Sequence, residues 1–473
     1  MGFHQPQKEL FSFGVDLDKR VRSDNPLRKI KEKVDFSWVR EEVEETYGSN
    51  GHVSADPVTV IKLMFLLFLD GVRSERELMR IVPERLDYLW FLDFELDDTV
   101  PGHSVLSKAR ARWGGELFEK LFVHTVRQCM EEGLVGGKTL HADGSLVMAD
   151  ASKDSVVKGP EELIDALRTA CGAQVDKLDN AASEEKTLEK KVAGKVNSTL
   201  TSTTDPDAPV VRRSKPGSRG DPRPCYKNHR SVDDHCGVIT TTETTPGDVE
   251  ENRMLETLIN QHEANCETKV RTLVADAQYG TLDNFRKLGG KGYETHMAII
   301  NAKVRKDREG LFLPESFEYD KDNDQFICPA GQRLYRRSYV PGRRYTEYGT
   351  RKGICAACPM QGNCTRSRTG RTLKRHDGQD IIDRAQDQAR STQAKRNRIR
   401  RRWLMEGSFG QAVRHHFKRS RYRGLWKQRI QDHLIAAVQN IKKLVGKPKN
   451  RPTGASSRRL SSFLVLQVPT EAF

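Results

Sequence analysis

Two aspartates constrain this chain more than any other feature. Asp143 lies in Leu-His-Ala-Asp-Gly-Ser, inside residues 139–148, whose alternation predicts a β-strand. Asp276 closes residues 270–275, a short apolar run that reads as another strand, in Leu-Val-Ala-Asp-Ala-Gln-Tyr-Gly. Carboxylates at or near the ends of adjacent strands can converge on one point. An isolated Asp in apolar surroundings meets an energetic objection, because loss of water disfavours its charged form. A bound divalent cation removes the objection, and Mg2+ suits because it takes oxygen ligands and keeps several waters.

The elements around these aspartates have an order. Strand 139–148 is followed by a charged helical stretch, 160–197, and a Pro/Gly-rich loop, 202–224. Strands at 225–234 and 236–245, a helix at 248–263, strand 270–275, a helix at 282–288 and a strand at 296–300 complete the run. Without the insertion at about 151–224, this is the element order of an RNase H-like α/β domain with a mixed sheet, whose last essential element is a helix. The only long uninterrupted helical candidate downstream is 388–444, beyond a cysteine-containing insertion at about 305–385. The expected organisation is a helical N-terminal domain (1–130), an RNase H-like domain (135–445) carrying both insertions, and a basic tail (446–473).

In the N-terminal region, the apolar run 60–69 is broken by Lys62. A membrane span needs about 20 such residues, so the run predicts a buried helix. Ser74 with Glu77 three residues on reads as a capping box. His103-Ser104 opens a basic helix through Lys108, Arg110 and Arg112. Short helices with one basic member suit a helix-turn-helix-like DNA reader, and equally an ordinary helical bundle.

The net charge of +15 is concentrated: residues 385–451 hold 19 Lys and Arg against three Asp and Glu. Such a segment is an electrostatic footprint for a polyanion, here nucleic acid, unless it is a solvated helix face. Mean hydropathy is −0.68, against a membrane protein. The N-terminus lacks a basic-then-apolar leader, so the expected location is the cytoplasm, in association with the nucleoid.

Five of the nine cysteines are scattered and read as small buried hydrophobes. Cys328, Cys355, Cys358 and Cys364 cluster. Cys355-Ala-Ala-Cys358 has zinc-knuckle spacing, and Cys328-Pro-Ala-Gly resembles half of a loop that turns around a metal. Four thiolates suit a closed tetrahedral Zn2+ site, with His376 as a spare ligand and reduced free thiols as the alternative. Nearby, Arg336, Arg337, Arg343 and Arg344 interleave with Tyr335, Tyr339 and Tyr345. That pattern suits phosphate pairing and base stacking, or a solvated hairpin.

Within residues 385–451 the acids are Asp387, Glu406 and Asp432. Glu406 stands among Arg400, Arg401, Arg402, Arg414 and Lys418. Arg402, four residues earlier on the same face, makes an ion pair the simple reading.

Four motifs in sequence resemble the transposases of bacterial insertion sequences, the DDE class. They are Ser74-Glu-Arg-Glu-Leu with Pro101-Gly-His-Ser-Val-Leu-Ser107; Asp143-Gly-Ser with Ala149-Asp-Ala-Ser152; Val274-Ala-Asp-Ala-Gln-Tyr-Gly280; and Arg402-Trp-Leu-Met-Glu-Gly-Ser-Phe-Gly-Gln411 with Tyr422-Arg-Gly-Leu425 and Val438-Gln-Asn-Ile-Lys-Lys-Leu444. The resemblance covers most of residues 35–445. It implies that Asp143, Asp276 and Glu406 hold two Mg2+ or Mn2+ ions, with Arg402 as the family's Arg before the Glu. The family often has Tyr where this chain has Ile399, and Lys where it has Val413, beside Arg414. The implied reaction is cleavage of transposon ends by water, then attack of the freed 3′-hydroxyl on target DNA, by a homodimer on DNA. Arg402, Arg414, Lys418, Arg419, Arg421 and Arg423 are the candidate DNA contacts. The alternatives are a DNA-binding copy that has lost catalysis, and an RNase H-like nuclease without joining.

Overall fold

The computed structural model describes residues 15–47, 54–158, 166, 169–170, 200–212, 222–298, 310–367 and 369–446. Most of the expected helix 160–197, parts of the loop 202–224 and of strand 296–300, and the tail beyond residue 446 lie outside the described residues.

The apolar run 60–69 lies in α1 (Pro57–Leu69), all thirteen residues of which are buried. Asp56 caps it by accepting from the Val58 N–H at 3.2 Å, and Pro57 occupies the first turn, where its missing N–H loses nothing. The one charge in the helix, Lys62, is neutralised by Asp93 at 2.7 Å. Ser74 caps α2 (Glu75–Ile81), accepting from the Glu77 N–H at 3.2 Å. In the basic helix α3 (Ser104–Trp113), Arg110 turns inward and pairs with Glu75. After α4 (Glu116–Glu131) the chain enters the sheet. Among the described residues, no helix is long and apolar enough to cross a membrane.

The centre of the main sheet is β1 (Thr139–Met148). β2 (Pro222–Asp233) pairs with it antiparallel, Asp143 opposite Arg230, and β3 (Ile239–Pro246) pairs antiparallel with β2. The short strand Val210–Arg212 also lies beside β2. After α5 (Leu255–Cys266), β4 (Thr272–Val274) runs parallel to β1 on its other side. After α6 (Leu282–Gly289), β5 (Glu294–Thr295) adds parallel to β4. The order is β3-β2-β1-β4-β5, an RNase H-like mixed sheet. Two antiparallel steps return β3 to the direction of β1 and β4. The C-terminal ends of these three strands therefore open on one edge of the sheet.

The cysteine insertion is a meander of β6 (Glu318–Asp320), β7 (Gln325–Ile327), β8 (Arg333–Val340), β9 (Tyr345–Gly349) and β10 (Thr372–His376), each pairing with the next. Its buried core is Phe317, Leu334, Tyr348 and Leu373.

The expected single helix over 388–444 is three helices: α7 (Gln379–Arg390), α8 (Thr392–Val413) and α9 (Leu425–Gly446). Tertiary contacts outweigh helix propagation in the break. His415 and His416 hydrogen-bond the carbonyls of Phe68 and Gly71 at the C-terminal end of α1, at 2.6 and 2.7 Å, satisfying acceptors that a helix end leaves open. Met148 donates its N–H to Lys418 at 3.0 Å, and Ser420 donates to Met148 at 2.7 Å, so the break also extends the end of β1. Phe65, Phe68 and Phe91 share one apolar core with Phe417, Val438 and Ile441, which joins the N-terminal helices to α9.

Candidate active site

Each of the three strands ending on the common edge leads to an acid. Asp143 is within β1, Glu251 begins the 3-10 turn Glu251–Met254 after β3, and Asp276 follows β4 by two residues. Each offers a carboxylate oxygen, and these oxygens lie within 4.8 Å of one another. Gly144 makes the approach of Glu251 possible, since a Cβ there would stand 2.9 Å from its Cδ.

The surroundings hold these acids in place without neutralising all of them. Asp143 accepts from Arg401 Nη1 at 2.8 Å and from the Gly144 N–H at 2.9 Å. Asp276 accepts from the Gln278 N–H at 2.8 Å. Lys227 Nζ stands 3.9 Å from Glu251 and donates to the Val249 carbonyl at 2.8 Å. Burial raises the Asp143 pKa, with Arg401 opposing and Asp276 adding to the rise. Burial pushes Glu251 up to about 7, with Lys227 opposing and the charges of Asp143 and Asp276 reinforcing the shift. Tyr279 is fully buried, and its hydroxyl has no hydrogen-bond partner among the described residues. Burial, then the charges of Glu251, Asp143 and Asp276, raise its pKa. Mutually repelling oxygens beside an orphaned hydroxyl fit a hard divalent cation such as Mg2+ or Mn2+.

The structure brings Asp143 and Asp276 together, as their strand positions suggest. Glu406 is not in the group, and Glu251 stands there instead. The cause is the rotation of α8. Arg401, Leu404, Met405 and Ser408 face inward, leaving Glu406 exposed on the side that carries Ile399, Trp403, Gly410 and Val413. Arg402 is likewise exposed, and Arg401 makes the inward contact with Asp143. Sequence reasoning missed Glu251, Arg401 and the Tyr279 hydroxyl. An acid just past the third strand, on the same edge as Asp276, is the signal that could have found Glu251.

The remaining basic candidates divide. Arg414 is exposed. Lys418 donates to Ser145 Oγ at 3.0 Å, two residues along β1 from Asp143. Arg419 and Arg423 flank Asp150 at 3.4 and 3.6 Å. Arg421 does not join this surface: it donates to the carbonyls of Val72 and Arg73 at 2.7 and 2.9 Å, tying the break to the loop after α1. In the insertion, the four cysteines line one pocket. His376 is not part of it and packs edge-on against Tyr345, 5.4 Å between centroids. Arg336, Arg343, Arg344, Tyr335 and Tyr339 are exposed, Tyr345 is buried, and Arg337 donates to the Thr350 carbonyl at 2.5 Å.

Residues 15–112 match the family described as "Transposase domain (DUF772)", and residues 327–445 match the family "Transposase DDE domain". Both matches are to transposase families, the second to their DDE domain. The first match spans α1, α2 and most of α3, and the second spans most of the insertion with α7, α8 and α9. No curated protein matches the chain. One similar solved structure is the cryo-EM structure of piggyBac transposase synaptic complex with hairpin DNA, at 10% identity over 92% of this chain and 77% of that one, with a TM-score of 0.35. At that level the likeness adds nothing to the family matches.

Proposed function

We propose that this chain is a DDE transposase that cuts transposon ends and joins them to target DNA, using divalent ions held by Asp143, Asp276 and Glu251. One observation carries the reading: three carboxylates, one from within β1 and two from just beyond β3 and β4, offer oxygens within 4.8 Å of one another. Mg2+ or Mn2+ ions held there would supply Lewis acidity to the attacking and leaving oxygens of a phosphodiester. The chain's own groups do the rest. Gly144 leaves room for Glu251, and the buried Tyr279 hydroxyl, which has no partner among the described residues, would be a donor for oxygen ligands at the site. Arg401 balances Asp143 and is free to turn to a phosphate once cations take over that role. Lys418 and Arg414, on the break that extends β1, would pair with backbone phosphates. Water as the first nucleophile and a 3′-hydroxyl as the second need the same in-line geometry, so one site serves both steps. Joining two ends requires two such sites, hence a homodimer on DNA, acting at the nucleoid in the cytoplasm.

A second reading keeps Glu406 as the third ligand. It is favoured by the Arg401–Asp143 contact, which shows that α8 abuts the site, so a rotation of that helix would bring Glu406 round. The test is a paired end-cleavage and strand-transfer assay on labelled transposon-end DNA. Activity lost in Glu251→Gln and kept in Glu406→Gln supports the first reading, and the reverse supports the second. Cleavage without joining in the wild type leaves a nuclease, and binding without cleavage leaves an inactive DNA-binding copy.

A further inference from the structure

We propose that Cys328, Cys355, Cys358 and Cys364 bind one structural Zn2+ that closes the β6–β10 insertion. The four residues come from three separate segments: the turn after β7, the loop after β9, and the short helix Gln361–Cys364 that precedes β10. All line one pocket with Phe312, Phe317 and Leu334, and none is in a disulfide.

In two of the segments, local contacts hold the sulfur in place. At Cys328 the chain makes a tight turn, with the Cys328 N–H donating to the Gln332 carbonyl at 2.9 Å and the Gly331 N–H to the Cys328 carbonyl at 2.8 Å. Gly331 takes a φ of 73°, the left-handed conformation that favours glycine. The turn aims the Gln332 N–H at Cys328 Sγ, 3.2 Å away. At Cys355, Thr350 Oγ1 lies 3.1 Å from the sulfur. Gly370, with φ of 96°, passes so close that a Cβ would stand 3.0 Å from that sulfur.

No three of the sulfurs lie within 4.8 Å of one another, since among the described residues only the acidic group meets that spacing. Metal binding therefore has to draw the three segments inward. The insertion has reason to need this closure. A core of Phe317, Leu334, Tyr348 and Leu373 is small for five strands, and modules of this size commonly take a metal or disulfides in place of a larger core. Four thiolates and no oxygen ligand select Zn2+ over the hard cations that suit the acidic site.

The test uses the full-length protein, purified without added metal and analysed by elemental mass spectrometry, alongside Asp143→Asn/Asp276→Asn, Cys355→Ser/Cys358→Ser and Cys236→Ser. The expected result is about one zinc per chain in the wild type, the aspartate variant and Cys236→Ser, and little in the double-cysteine variant. If that variant is insoluble, Co2+ replacement in the wild type gives a separate readout: intense thiolate-to-cobalt absorption from a tetrahedral site. Absence of zinc from the wild type, zinc lost with the aspartates, or a cobalt spectrum without thiolate bands would overturn the proposal.

Discussion

Beside the acidic site, Arg230 on β2 and Asp432 on α9 are fully buried, each with its own partners. Arg230 donates to Ser408 and Gln439 at 3.1 and 3.0 Å, while Asp432 accepts from Thr244 and Asn228 at 2.6 and 3.1 Å. In the cysteine insertion, four side chains form the buried core and β8 turns a row of arginines and tyrosines to solvent. The first region has enough packing to hold charges in an unfavourable arrangement and reserve it for chemistry. The second has a small core, and on the zinc proposal its cysteine cluster serves the fold. Metal at the acidic site is expected to change activity more than stability, and metal at the cysteines the reverse.

Removal of one acid should have the largest effect. Asp143→Asn or Asp276→Asn should lower end cleavage by roughly a thousandfold or more while leaving the melting temperature unchanged or slightly raised, because repulsion between the acids is relieved. A large drop in melting temperature would mean that the acids are structural. Glu251→Gln should lower cleavage by roughly a hundredfold, and Gly144→Ala should act in the same direction by displacing Glu251; retention of full rates in both would remove Glu251 from the site.

Packing substitutions sharpen the contrast from the other side. Phe68→Ala should lower global stability by about 3–5 kcal/mol, read by denaturant unfolding, because Phe68 sits in the core shared by the N- and C-terminal helices. Leu334→Ala should leave that global transition nearly in place and open the insertion to limited proteolysis. Coincident loss of both regions in either variant would show that they unfold as one unit.

The smallest expected effect is a pH dependence. Burial raises the Asp432 pKa from 3.8 to about 6. A raised folded-state value means that its contribution to stability is fully present below 3.8 and is lost as pH rises through about 6, by about 3 kcal/mol at most. Asp432→Asn should flatten the stability profile between these values, and an unchanged slope would assign the dependence elsewhere.

Much of this was legible in the chain. Asp143 and Asp276 could be found because short apolar strands announce themselves and a carboxylate within them needs an explanation. The buried helix at 57–69 was visible in its run of apolar residues for the same reason. Glu251 was not, because an acid opening a helix is the commonest placement for an acid. Only the strand order, which no local pattern encodes, puts that turn beside β1. The break at 414–424 was hidden by a continuous basic character. The contacts that hold it, His415 to Phe68 and Arg421 to Val72, join residues more than 340 positions apart. Glu406 was read from a motif, and a motif fixes spacing along a helix without fixing which way the helix is turned.

On the proposed reading the metal is held by Asp143 within β1, Glu251 and Asp276, and not by an acid of α8. Crystals of the full chain soaked in Mn2+ and measured at the manganese absorption edge test it directly. The account predicts anomalous density in direct contact with Asp143, Glu251 and Asp276. Density held by Glu406 with Glu251 turned away, or none at the acids, would contradict it.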